Sequence, residues 1–217
     1  MKFRSLLFLL AGTTCAGLGF AQAASNAHAM PAAAQDSPAA APKLDAAMRK
    51  LWHGHIVHTR EYALAVHAHD SAKAKTAADD VVANAKQIAD AVGSFYGKAA
   101  GEQTLQLLAG HWGGVKALTD ATNAGDAAAE QKAMADLNAN VAAIAKFFSS
   151  ANPNLPADAL RSLFATHVAH HAAQIRQIMA GDNAGEQTTW TEMQAHMNTI
   201  ADAFASGIAK QFPAKAH

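Results

Sequence analysis

Leu51–Arg60 reads LWHGHIVHTR, Leu107–Lys116 reads LLAGHWGGVK and Leu163–Ala172 reads LFATHVAHHA, and the three stretches begin 56 residues apart. Each opens on a leucine and places a histidine four residues on, so His55, His111 and His167 share one internal address. The register extends outward. Asp70, Asp126 and Asp182 each follow their histidine by fifteen residues. Asn84 and Asn140 follow by twenty-nine, and His196 takes that place in the third copy. Ile88-Ala89, Ile144-Ala145 and Ile200-Ala201 keep the same step. Self-similarity at a fixed period of this length marks one supersecondary unit used three times.

The unit is helical. Alanine dominates, and β-branched or aromatic runs are scarce, a composition that favours the α-helix. Breaks at His69-Asp70-Ser71, from Gly97 to Gly101, at Gly125-Asp126, from Asn152 to Pro156 and from Gly181 to Gly185 predict six helices, over 44–69, 71–96, 101–124, 126–151, 156–180 and 184–211. The Gly-Asp pairs have the form of a helix-ending glycine followed by an N-cap aspartate, and Pro156 suits a first helical turn. The predicted architecture is all-α: a single antiparallel helical bundle over 44–213, made of three αα-hairpins (repeats 44–97, 100–153 and 156–212) in two layers or a pseudo-threefold ring.

Residues 1–23 have the form of a signal peptide, with Lys2 and Arg4 at the start, an apolar run from Leu6, and Ala21-Gln22-Ala23 as the cleavage signal. The run is too short and too rich in small residues for a membrane anchor. The one cysteine, Cys15, lies inside it, and Gly12-Thr13-Thr14 is a poor context for lipidation. The expected mature chain is periplasmic or secreted, has no cysteine, and relies on burial rather than disulfides. Residues 24–43, rich in Ala and Pro, read as a disordered linker. Basic and acidic residues balance at 17 each, without the basic stripe that nucleic acid requires and without a transmembrane segment after signal removal; no protein partner is indicated. Twelve histidines are the compositional anomaly.

On the first helix of each unit the apolar residues form one stripe at about 100° per residue, with the repeated histidine near its centre. His55, His111 and His167 are therefore expected to point inward. Equal rise along antiparallel helices sets Asn84 beside His55, Asn140 beside His111 and His196 beside His167. These six side chains predict one polar layer, with the histidines as metal ligands and Asn84 and Asn140 as further binding residues. His171 shares a helix face with His167 and can chelate with it. His58, His170 and Glu192 add donors nearby. Asp80, Asp136 and Glu192 repeat as acids one turn closer to the hairpin tips, at the margin of the buried stripe, where charged residues usually meet solvent.

Imidazoles converging from separate helices are a way to hold a transition-metal ion such as Zn, Cu or Fe. Haem ranks below a bare ion: C-x-x-C-H is absent, and an Ala-rich interior packs closely. The competing reading is a non-catalytic structural or interaction module, in which each imidazole bonds an Asn carbonyl and the layer only fixes helix register. Catalysis ranks last, since G-x-S-x-G, an exported cysteine and a phosphate-binding loop are all missing; the glycines of Gly110-His111-Trp112-Gly113-Gly114 sit within a helix and suit close helix approach beside Trp112.

Leu51-Trp52, His55, Thr59-Arg60, Tyr96-Gly97, Ala151-Asn152-Pro153-Asn154, Ala201-Asp202 and Gly207-Ile208-Ala209-Lys210-Gln211-Phe212-Pro213 together resemble an uncharacterised family of small exported or lipid-linked bacterial all-helical proteins, over most of residues 44–213. Its members sometimes carry a glycosyltransferase label, and no residue here supports sugar-nucleotide chemistry. The resemblance implies histidine at His55, His111, His167 and His196. His58 departs from it, since an aromatic residue is common there.

Overall fold

A computed structural model describes residues 41–216. The expected signal peptide, and the linker up to residue 40, lie outside the described residues.

Six helices fill the described chain: α1 Pro42–His67, α2 Ser71–Tyr96, α3 Lys98–Ala124, α4 Ala127–Ala151, α5 Ala157–Ala180 and α6 Asn183–Gln211. The local chemistry at their ends explains the hairpins. Asp70, Asp126 and Asp182 each cap a second helix, accepting from the backbone N–H of Lys73, of Ala128 and Ala129, and of Gly185 respectively. Gly125 and Gly181 end α3 and α5 in the left-handed conformation, at φ 67° and 68°. In the first hairpin His69 holds that same place at φ 55°, where no glycine is available.

Where helix boundaries differ from the sequence reading they do so by one to three residues, and two of the differences have a clear cause. Helix α1 begins at Pro42, whose fixed φ and missing N–H suit a first turn, so residues 42 and 43, expected in the linker, are helical. Helix α3 begins at Lys98, and Gly101 lies inside it rather than before it. Gly101 serves close packing. A Cβ there would meet the Ala89 carbonyl oxygen at 2.9 Å and Gly93 Cα at 3.2 Å, so α2 and α3 touch backbone to backbone.

Each helix packs on its chain neighbours, and α6 packs back on α1, closing a ring of three hairpins. Helices α1, α3 and α5 also touch one another, which makes them the inner set. As first helices of successive hairpins they run parallel, so residues separated by 56 stand at one level. Successive levels are therefore legible in threes. Trp52, Leu108 and Phe164 form one, joined by Phe148 and Phe204 from the outer helices. The histidine level follows. One turn on come Thr59, Val115 and His171, and then Tyr62, Leu118 and Gln174. An apolar, aromatic layer thus covers the histidines at one end and mixed, partly polar layers cover them at the other. Among the described residues no helix is long and apolar enough to cross a membrane.

Candidate metal centre

His55, His111 and His167 project from the middle of α1, α3 and α5 to a common centre. Their ring centroids form a near-equilateral triangle, with sides of 5.8, 5.6 and 5.6 Å. His171 supplies the fourth ring, 5.8 Å from His55, 6.1 Å from His111 and 4.3 Å from His167. These three rings and a fourth one turn away make a distorted tetrahedron. One nitrogen from each ring lies within 4.8 Å of one from every other. In a tetrahedral site with metal–nitrogen bonds of about 2.0–2.1 Å, donor atoms sit roughly 3.3 Å apart. The Nε2 atoms of His167 and His171 are already at 3.0 Å. A contraction on the order of an ångström elsewhere would close the shell, within reach of small side-chain rotations.

Burial controls the charge of these rings. All four are 4 % exposed or less. Desolvation, with repulsion from His111 and then His58, lowers the pKa of His55 to about 3. Desolvation lowers that of His111 to about 4, opposed in part by the Asn140 amide. His167 and His171 are held well below the usual imidazole value by desolvation first and by their neighbours' charge second. At neutral pH the four rings are uncharged. Each then keeps one nitrogen lone pair, the form in which imidazole binds metals. Both ring nitrogens of His111, and Nδ1 of His167 and His171, are buried without a hydrogen-bond partner. Such orphaned polar atoms cost about 1–3 kcal/mol each, so four of them around one point need an explanation.

The remaining expected site residues take other places. Asn84 and Asn140 commit their amide nitrogens to the backbone. Their Nδ2 atoms donate to the carbonyl oxygens of Leu51 and Leu107, at 3.0 and 2.9 Å. His196 repeats that bond in the third hairpin, donating from Nε2 to the Leu163 carbonyl at 2.8 Å. All three thus clamp an outer helix to an inner one, four residues before the repeated histidine. His196 accordingly stands outside the four-ring group, 5.3 Å from the half-buried ring of His170. His170 is adjacent to His171 and so points about 100° away from it. His58 is half-buried and bonds Glu61, at 2.9 Å. Glu192 and Asp136 are exposed, and Lys132 pairs with Asp136 at 2.6 Å. The acidic residues therefore form no inner layer.

The glycines beside the histidines allow close helix approach. Gly54 and Gly110 make room for the asparagines: a Cβ would approach Nδ2 of Asn84 at 2.8 Å and of Asn140 at 3.1 Å. Gly114 accepts Leu137, whose Cδ2 would lie 2.8 Å from an added Cβ.

One network was not anticipated. Glu186 of α6 accepts two bonds from Arg60 of α1, at 2.6 and 2.8 Å, and one from Gln174 of α5, at 2.8 Å. It locks three helices together on the tip side of the histidines. The one sequence signal was Gln174, polar at an inward address where the other copies have Tyr62 and Leu118. Comparisons with protein-family models, curated proteins and solved structures give no match for this chain.

Proposed function

We propose that this protein is an exported helical-bundle protein that binds one transition-metal ion through His55, His111, His167 and His171. The observation that carries this reading is the convergence of four neutral, buried imidazoles, each with one nitrogen within 4.8 Å of one from every other. An ion would take up one lone pair from each of the four rings. Four protein ligands complete a tetrahedral shell and leave no open position for substrate, the pattern of a structural, storage or carrier site rather than a hydrolytic one. Export is part of the proposal, resting on the signal-like residues 1–23, as is membership of the small helical family that the sequence resembles.

A structural module is the second reading, favoured by the His167–His171 Nε2 contact at 3.0 Å, which neutral rings can make as a hydrogen bond without any ion. Elemental analysis of the protein purified from the periplasm separates the two. The metal reading expects one equivalent of ion and a rise in melting temperature on adding zinc or copper to metal-free protein. His111→Ala should abolish uptake while His69→Ala, at a hairpin tip, leaves it intact. Sub-stoichiometric metal with no thermal shift retires the reading, and equal loss from both variants points to loose surface chelation.

A further inference from the structure

We infer that the four-histidine site selects copper in its cuprous state over divalent zinc; this rests on the metal reading above and deepens it. Both ions suit the geometry. Zinc has no directional preference against a tetrahedron, and the closed-shell cuprous ion has none either, whereas cupric copper prefers tetragonal surroundings. Charge then decides. The donor set is four neutral imidazoles, with neither carboxylate nor thiolate in it. A bound ion therefore keeps its whole charge inside the bundle.

The surroundings supply no counter-charge. Among the described residues Glu186 is the one buried acid. Its two oxygens are engaged by the Arg60 guanidinium and the Gln174 amide, so the pair with Arg60 is already neutral. The positions equivalent to His171 are Thr59 and Val115, and Thr59 donates its hydroxyl to the His55 carbonyl at 2.8 Å. Above and below lie Trp52, Phe164, Ile56 and Leu118, all buried. Moving an ion from water into such a medium costs in proportion to the square of its charge, so a divalent ion is penalised about four times as heavily as a monovalent one. Zinc sites in proteins commonly offset this with thiolates or carboxylates; this site has none. Alkali cations are monovalent too, but hard ions take oxygen donors, not imidazole. The cuprous ion is the one common biological cation that combines a single charge with affinity for nitrogen.

The test uses the full metal-free chain under anaerobic conditions. Cuprous ion is titrated against a colorimetric cuprous chelator, zinc against a chromophoric zinc chelator, and the two ions are then placed in direct competition. The expected result is one cuprous ion per chain, retained against zinc in excess on the order of tenfold. Zinc displacing copper at equal concentration overturns this selection and leaves the metal site standing. Retention of neither ion overturns the metal reading itself. Thr59→Glu then isolates the cause, because it places a carboxylate one turn from His55. It should move the copper-to-zinc preference toward zinc by at least about tenfold, and an unchanged preference in the folded variant overturns the charge argument. If that variant fails to fold, the wild-type competition still decides.

Discussion

The metal-free protein should lose stability steeply as the pH falls from 7 to 5, well before its carboxylates protonate. In the unfolded chain His55 and His111 titrate near the ordinary value of 6.5; in the fold their values lie at about 3 and about 4. Below 6.5 the unfolded state therefore binds more protons than the native state, and stability must fall with pH. The loss begins near 6.5 and continues until the native rings themselves take up protons, close to pH 3–4. Between pH 7 and 5 each such imidazole removes about 2 kcal/mol, so this pair alone removes about 4 kcal/mol. His167 and His171 are depressed in the same direction and add to the loss. A domain of this kind is typically stable by about 5–15 kcal/mol, so the effect is a large fraction of the whole. Urea unfolding of metal-free protein at a series of pH values measures it directly. His111→Leu provides the internal control, since it should flatten the profile between pH 6 and 5 by about 1.4 kcal/mol per pH unit. A wild-type stability at pH 5 within about 1 kcal/mol of that at pH 7 would refute the reasoning. It would mean that water reaches the rings and that they protonate within the fold.

Three further outcomes follow from the same geometry. His69→Gly should raise stability by about 1 kcal/mol, because His69 holds the left-handed place that glycine takes in the other two hairpins; in thermal unfolding this is a gain of about 2–4 °C. Gly101→Ala should cost about 1–3 kcal/mol in chemical denaturation, since its Cβ would press on the Ala89 carbonyl and Gly93 Cα, both backbone atoms that cannot rotate away. His196→Ala should leave metal stoichiometry unchanged by elemental analysis while lowering stability by about 1 kcal/mol, the worth of its bond to the Leu163 carbonyl.

Much of the fold was legible in the chain because helix signals are local. The capping aspartates Asp70, Asp126 and Asp182 and the glycines Gly125 and Gly181 mark the turns through their own hydrogen bonds and dihedral preferences. They placed the six helices to within a few residues. Gly101 misled for the opposite reason: its role is contact with Gly93 on another helix, and a local reading takes it for a breaker. The candidate site was legible in part. The 56-residue step brought His55, His111 and His167 together because parallel inner helices keep equal addresses at equal depth. Asn84, Asn140 and His196 bond carbonyls of the inner helices and Glu192 is exposed, because rotation about a helix axis decides which neighbour a side chain meets. A periodicity fixes that angle only to within tens of degrees.

What the chain by itself determined is the helical unit, its threefold use and the inward direction of one histidine in each copy, since these depend on propensity, capping and periodicity within single segments. Only tertiary packing decided that the fourth ring is His171 and not His196. That choice turns on which faces of α5 and α6 meet when the ring of hairpins closes, and on the chance that the third copy carries a histidine where the first has Thr59 and the second Val115. The uncharged state of the four rings is likewise a property of the assembled core, because desolvation exists only once the surrounding layers have excluded water.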